Sequence, residues 1–160
     1  MYHLLNKVLE DYKDLTFTFR YPVNILIKDK TLLTEEERKY VSHHNTHIDF
    51  LIYNKISKIP LLAVEVDGYK YHKEDNKQKE RDILKNNILS KYNISLIRLT
   101  TNGSREKDII INKLNNIINK YYYVHYKSYH VSLISVVISL RSNNNILMYL
   151  LYISYIYILI

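Results

Sequence analysis

The stretch "LLAVEVDGYKYH", residues 61–72, decides how this chain folds. Leu61, Leu62, Ala63, Val64 and Val66 place five apolar residues in its first six positions, the pattern of a buried strand. Into that run the chain sets two carboxylates, Glu65 and Asp67, before closing on Gly68 and His72. Side chains alternate across a strand, so Glu65 and Asp67 share a face. Two acids at the buried end of a strand repel each other and cost free energy to desolvate, so the pattern calls for something that takes up their charge.

Upstream, "HIDFLIY" at 47–53 reads as a second apolar strand, joined to the first by "NKISKI", and two strands so closely connected form a hairpin. Paired strands lie ~4.8 Å apart, so Asp49 converges with Glu65 where both project from one face, and Asp67 follows on that face. Three acids then meet at one end of the sheet. A Mg²⁺ or Mn²⁺ ion with hard oxygen ligands resolves their repulsion and keeps waters that can be activated against a phosphodiester. Gly68 lets the backbone turn behind the acids, and His72 is near enough in sequence to carry a proton near neutral pH. Each residue alone also has an ordinary reading. Asp67 with Gly68 is a common turn signal, Glu65 can form a structural ion pair with Arg98 or Lys85, and His72 can be a surface histidine. The combination carries the metal reading.

Around this hairpin the pattern is that of an α/β domain over residues 1–120. Leu4, Leu5, Val8, Leu9 and Tyr12 give residues 2–14 one apolar helical face. "LTFTFRYPVNILI", 15–27, alternates as a strand with a bend or edge at Pro22. Thr34 and Glu37 form a capping-box pattern ahead of a short helix near 34–40. After Gly68, residues 76–92 read as a helix with Ile83, Leu84, Ile88, Leu89 and Tyr92 as its apolar stripe and Gln78, Arg81, Asp82 and Lys85 opposite. "ISLIRL", 94–99, returns to the sheet, and 105–119 is a last helix with Ile110, Leu114 and Ile117 on one face. The order predicts a mixed sheet flanked by helices.

Composition narrows the function. All 16 acidic residues and 21 of the 23 basic ones precede position 121, so the front portion is +5 and suits anionic partners. Without cysteine there are no disulfides or thiolate metal sites, and without a signal-peptide core a cytoplasmic setting is expected. With only two glycines there is no phosphate-binding loop of an ATPase. Residues 121–160 are a low-complexity tail rich in Ile and Tyr, of the kind read past a frameshift in an AT-rich gene, and are expected to be disordered or non-native. Their apolar runs, 131–140 and 146–160, fall short of the ~20 residues of a spanning helix, so a membrane hairpin is the weaker reading.

Four motifs in order, "HIDF", "EVDGYKYH", "RDILKN" and "LIRLTTNGS", carry a resemblance. Across about residues 4–119 the chain resembles the PD-(D/E)xK restriction-endonuclease-like domains of the very-short-patch-repair branch, as found at the C-terminus of bacterial superfamily I DNA/RNA helicases. The resemblance implies a restriction-endonuclease-like fold and a metal-dependent phosphodiesterase acting on DNA, or else RNA, with helicase domains of a parent protein as partners and this chain as their detached C-terminal part. It implies Asp49 and Glu65 as metal ligands, with the Val66 carbonyl beside them. Asp67 stands where better-known members carry the catalytic lysine, and His72 or Lys85 would take over that role. Gln78, Arg81 and Asp82 match polar helix positions facing the site, and Arg98 matches a basic residue that meets phosphate or carboxylate. The missing lysine leaves a catalytically degenerate nucleic-acid-binding module as the alternative.

Overall fold

The computed structural model describes residues 1–67, 76–100, 105–121 and 123. The chain divides into a first unit, Met1–Ile117, and a second, Ile118–Ile160, of which only a few helical residues at its start are described. The first unit runs α1 (Tyr2–Leu9), β1 (Leu15–Pro22), α2 (Val23–Leu26), α3 (Glu35–Ser42), β2 (His47–Asn54), β3 (Pro60–Asp67), α4 (Asn76–Lys91) and β4 (Ser95–Thr100). A last helix, α5, begins at residue 106 and continues to 121. The strands form one sheet in the order β1-β2-β3-β4. β1–β2 and β2–β3 are antiparallel and β3–β4 is parallel, so the sheet is mixed and flanked by helices, an α/β fold.

The hairpin expected between β2 and β3 forms because Asn54 organises its loop. Asn54 Oδ1 accepts from the backbone N–H of Ile56 and of Ser57, each at 2.9 Å, and Asn54 O accepts from Lys58 N at 3.0 Å. Such a side-chain-stabilised turn needs no glycine. The capping box at α3 is also present in both directions, with Thr34 N donating to Glu37 Oε2 at 2.7 Å and Glu37 N to Thr34 Oγ1 at 3.3 Å.

One face of the sheet presents Leu51 and Ala63 to a buried cluster with Val23, Ile27, Val41, Ile88, Leu89 and Ile94, which packs α2, α3 and α4 there. On α1's side, Tyr2 meets the edge of Phe17, which in turn contacts Phe50, at centroid distances of 5.3 and 6.0 Å. Leu5, Val8, Ile110 and Leu114 are fully buried outside the first cluster. The Tyr12 hydroxyl donates to Asn115 Oδ1 at 2.7 Å, which fastens α5 beside the end of α1.

Three local expectations change. Residues 10–14 are not helical, because turns closed by Tyr12 N on Leu9 O and Leu15 N on Tyr12 O redirect the chain into β1. Beyond Pro22 the strand gives way to α2. Val23 and Ile27 are each 1% exposed while Ile25 is 49% exposed, so the apolar residues are used at a spacing of four rather than two. In α4, Ile88 and Leu89 are fully buried as expected, but Ile83 is 57% exposed while Lys85, expected on the polar side, is mostly buried. The residues that face the domain are Asp82, Lys85, Ile88 and Leu89, with Tyr92 just beyond the helix. Ile88 and Leu89 meet the core, while Asp82 and Lys85 meet Arg98 on β4 and Glu65 on β3. The helix ends at Lys91, and beyond it Asn93 is held at φ 55 with Ile94 N donating back to Leu89 O at 2.9 Å, a closure that asparagine tolerates.

His72 and Gly68, and the tail beyond residue 123, lie outside the described residues. Among the described residues no helix is long and apolar enough to cross a membrane.

Candidate active site

The β2–β3 ladder reaches Phe50 opposite Val64. Asp49 and Glu65 are each one residue further, so they stand opposite one another on the face that also bears Leu51 and Ala63. There a side chain replaces the ladder: the Val66 backbone N–H donates to Asp49 Oδ2 at 2.9 Å. That bond satisfies a donor left by the diverging strands and fixes the Asp49 carboxylate. Its other oxygen, Oδ1, lies 3.6 Å from Nε2 of His47.

Glu65 is only 7% exposed. Its Oε2 accepts from Lys85 Nζ at 2.8 Å, and the same ammonium donates to the His47 carbonyl at 3.0 Å. The second oxygen, Glu65 Oε1, is buried and has no hydrogen-bond partner. Burial pushes the Glu65 carboxyl above its usual range; the Asp49 charge pushes the same way, while Lys85 opposes both. A cation held by two carboxylate oxygens would lower that cost.

Beside this centre lies a second polar layer. Arg98 on β4 pairs in register with Glu65. Its Nη2 lies 3.1 Å from Asp82 Oδ1 and donates to Asn86 Oδ1 at 3.4 Å, and its Nη1 lies 3.6 Å from Asp67 Oδ1. Gln78 Nε2 donates to Asp82 Oδ1 at 3.3 Å. Arg81 is exposed. The half-buried Tyr40 of α3 feels the same charges: burial first, then Glu65 and Asp82, push its hydroxyl up to about 12, against Arg98 and Arg81.

Asp49, Glu65 and Lys85 are therefore brought together, and Val66 joins them through its N–H. Gln78, Asp82 and Arg98 form the adjoining layer. Asp67 is half exposed and paired with Arg98, so the expected meeting of three acids is a meeting of two. Among the described residues no three His, Asp or Glu side chains form a metal-holding group. Sequence reasoning passed over His47 and Tyr40. For His47 the signal was present, since it precedes Asp49 by two positions on a strand and shares its face; nothing in the α3 sequence marks Tyr40.

A family model described as "Protein of unknown function (DUF2726)" matches residues 1–118. The chain belongs to the DUF2726 family. No curated protein and no solved structure matches it. The DUF2726 match takes in all four strands and every residue of the site above, and it stops where the Ile- and Tyr-rich composition begins. The donors that this DUF2726 domain offers on its two central strands are hard carboxylate oxygens, Asp49 Oδ1 and the orphaned Glu65 Oε1. That donor chemistry fits Mg²⁺ or Mn²⁺.

Proposed function

We propose that this DUF2726 domain is a Mg²⁺- or Mn²⁺-dependent endonuclease domain acting on DNA. The observation that carries the reading is Glu65, a buried carboxylate with one oxygen tied to Lys85 and the other unpartnered, facing Asp49 across a strand pair. A purely structural ion pair would gain nothing from the unpartnered oxygen, since an unsatisfied buried acceptor costs roughly 1–3 kcal/mol.

When bound, a divalent cation supplies charge that polarises a phosphodiester and activates a water molecule. The chain's own residues do the remainder. Asp49 and Glu65 hold the ion, with Asp49 kept in place by the Val66 N–H. Lys85 sets a fixed positive charge beside the acids, where negative charge accumulates on the phosphoryl oxygens in the transition state. It comes from a helix rather than from the strand position filled by Asp67, where the resemblance would place the lysine. Arg81 and Arg98, on a domain with a surplus of basic residues, attract the nucleic-acid backbone. Helicase domains as partners rest on the sequence motifs alone.

A second reading, a nucleic-acid-binding module that does not cut, is favoured by a specific observation: both acids already have a protein partner, the Val66 N–H and the Lys85 ammonium. Incubating the purified full chain with plasmid, linear duplex, single-stranded DNA and RNA separates the two. Cleavage in Mg²⁺ or Mn²⁺ that chelator and Asp49→Ala both abolish supports the nuclease. Binding without cleavage of any form supports the module.

A further inference from the structure

Resting on the reading of this domain as one that acts on DNA, we propose that His43 and His44 form a stacking platform for an unpaired base, so that the DNA it engages there is single-stranded. The two residues lie in the loop between α3 and β2, where their rings stack with centroids 4.8 Å apart and planes 23° from parallel. Both residues are exposed. Each ring covers one face of the other, so the two outer faces meet solvent. An imidazole face is one of the surfaces on which unstacked bases settle. In an intact duplex the bases cover one another's faces, so such a platform takes a base only where pairing is absent.

The loop holds this platform in place. His43 N donates to Tyr40 O at 3.2 Å as α3 ends, and Thr46 N donates to His43 O at 3.0 Å. Asn45 N donates to His43 Nδ1 at 3.3 Å, which fixes the His43 ring itself, and Thr46 Oγ1 donates to Tyr40 O at 3.0 Å. A ring already ordered in this way loses little further freedom when a base settles on it. Positive charge stands beside it. Lys30 Nζ donates to Ser42 Oγ, on the residue before His43, at 2.9 Å. The helix α3 keeps Glu35, Glu36 and Glu37 in its first turn, with Arg38 and Lys39 following, the latter paired to Glu35 at 3.8 Å. Cations beside aromatic faces are the means by which single-strand binders take backbone and bases together. The loop runs directly into β2, and Asp49 follows His44 by five residues. The platform and the carboxylates are therefore at most ~18 Å apart, the length of about five stacked nucleotides at ~3.4 Å each.

The test is fluorescence anisotropy of labelled DNA with the full chain and no divalent ion, using a single strand and the duplex of the same sequence, for wild type, His44→Ala and His44→Phe. Because no ion is present, the result does not depend on whether the domain cuts. His44 contributes no bond to the turn, so its substitution leaves the loop's hydrogen bonds in place. The inference expects wild type to prefer the single strand and His44→Ala to lose about 5- to 150-fold in affinity for it, the effect of one stacked base. Duplex binding should be unchanged, and His44→Phe, which keeps an aromatic face, should bind the single strand like wild type. A wild-type preference for duplex, a His44→Ala that binds the single strand like wild type, a loss shared equally by the duplex, or a His44→Phe as weak as alanine overturns the platform and leaves the DNA reading standing. Wild type that binds neither form overturns both. Circular dichroism of each variant excludes loss of fold as the cause.

Discussion

Lys85 on α4 reaches across the domain to Glu65 on β3, with Nζ 2.8 Å from Oε2 and both side chains almost buried. The pair joins the helix to the sheet at the point where the strands diverge, and it leaves the second Glu65 oxygen free. Both the stability and the proposed chemistry of the site turn on it.

Lys85→Met is expected to destabilise the domain by roughly 3–5 kcal/mol at pH 7, because it leaves the Glu65 charge buried without its cation. The Glu65 carboxyl already sits above its ordinary 4.5 through burial, and losing Lys85 raises it further. A carboxyl whose folded pKa exceeds its unfolded value favours the folded state below the unfolded pKa and loses that contribution as pH rises through the folded one. The cost of Lys85→Met should therefore shrink as pH falls from 7 towards the unfolded value, which urea denaturation at several pH values would show. An equal cost at every pH contradicts this account of Glu65.

Asp49→Asn and Asp49→Ala separate the structural from the chemical part of Asp49. Asparagine retains a side-chain oxygen that can accept from Val66 N–H, so its unfolding midpoint should stay near wild type. Alanine orphans that donor and should cost about 1–3 kcal/mol. Both should lose cleavage and metal binding. Thermal denaturation run alongside the nuclease assay checks the split.

The buried Glu37 carboxylate pairs with the exposed Lys91 at 2.6 Å, which ties α3 to the end of α4. The Lys91 hydrogen bond, aided by the capping-box bonds to Thr34, lowers the Glu37 carboxyl below its ordinary 4.5. Its stabilisation is present above that unfolded value and is lost as pH falls through the lower folded one. Glu37→Gln should thus flatten the acid limb of the stability curve below about pH 4.5. Acid titrations monitored by circular dichroism, compared between variant and wild type, test this directly.

How much of this was legible beforehand differs element by element. The β2–β3 hairpin, the Thr34 cap and the alternation that puts Asp49 and Glu65 on one face follow from short-range rules, and they appear as expected. The C-terminal half of the α4 stripe, Ile88, Leu89 and Tyr92, also appears as expected, but a reading that maximises apolar residues adds Ile83, which is exposed. The fold instead rewards Asp82 and Lys85, which find Arg98 on β4 and Glu65 on β3. No local pattern encodes those partners, since they lie on strands brought alongside by the fold. The same holds for Tyr40, and for Asp67, whose pairing with Arg98 depends on the parallel register of β3 and β4.

Arg81 is exposed on α4 near the site and is expected to contact phosphate rather than base edges. Arg81→Ala should weaken binding to all DNA sequences alike and reduce the slope of log affinity against log salt by about 1. Fluorescence anisotropy across a salt series, without divalent ions, measures it. A loss confined to particular sequences would assign Arg81 a different role.

The most direct measurement of the central claim is DNA cleavage by full-chain wild type and Glu65→Gln, with Mn²⁺ or Mg²⁺ as the only divalent ion. Glutamine keeps the shape and an oxygen for Lys85 but removes the negative charge that would hold the ion. The account predicts cleavage by wild type and none by a folded Glu65→Gln. Cleavage by the variant at the wild-type rate, or no cleavage by wild type on any DNA form, would contradict it.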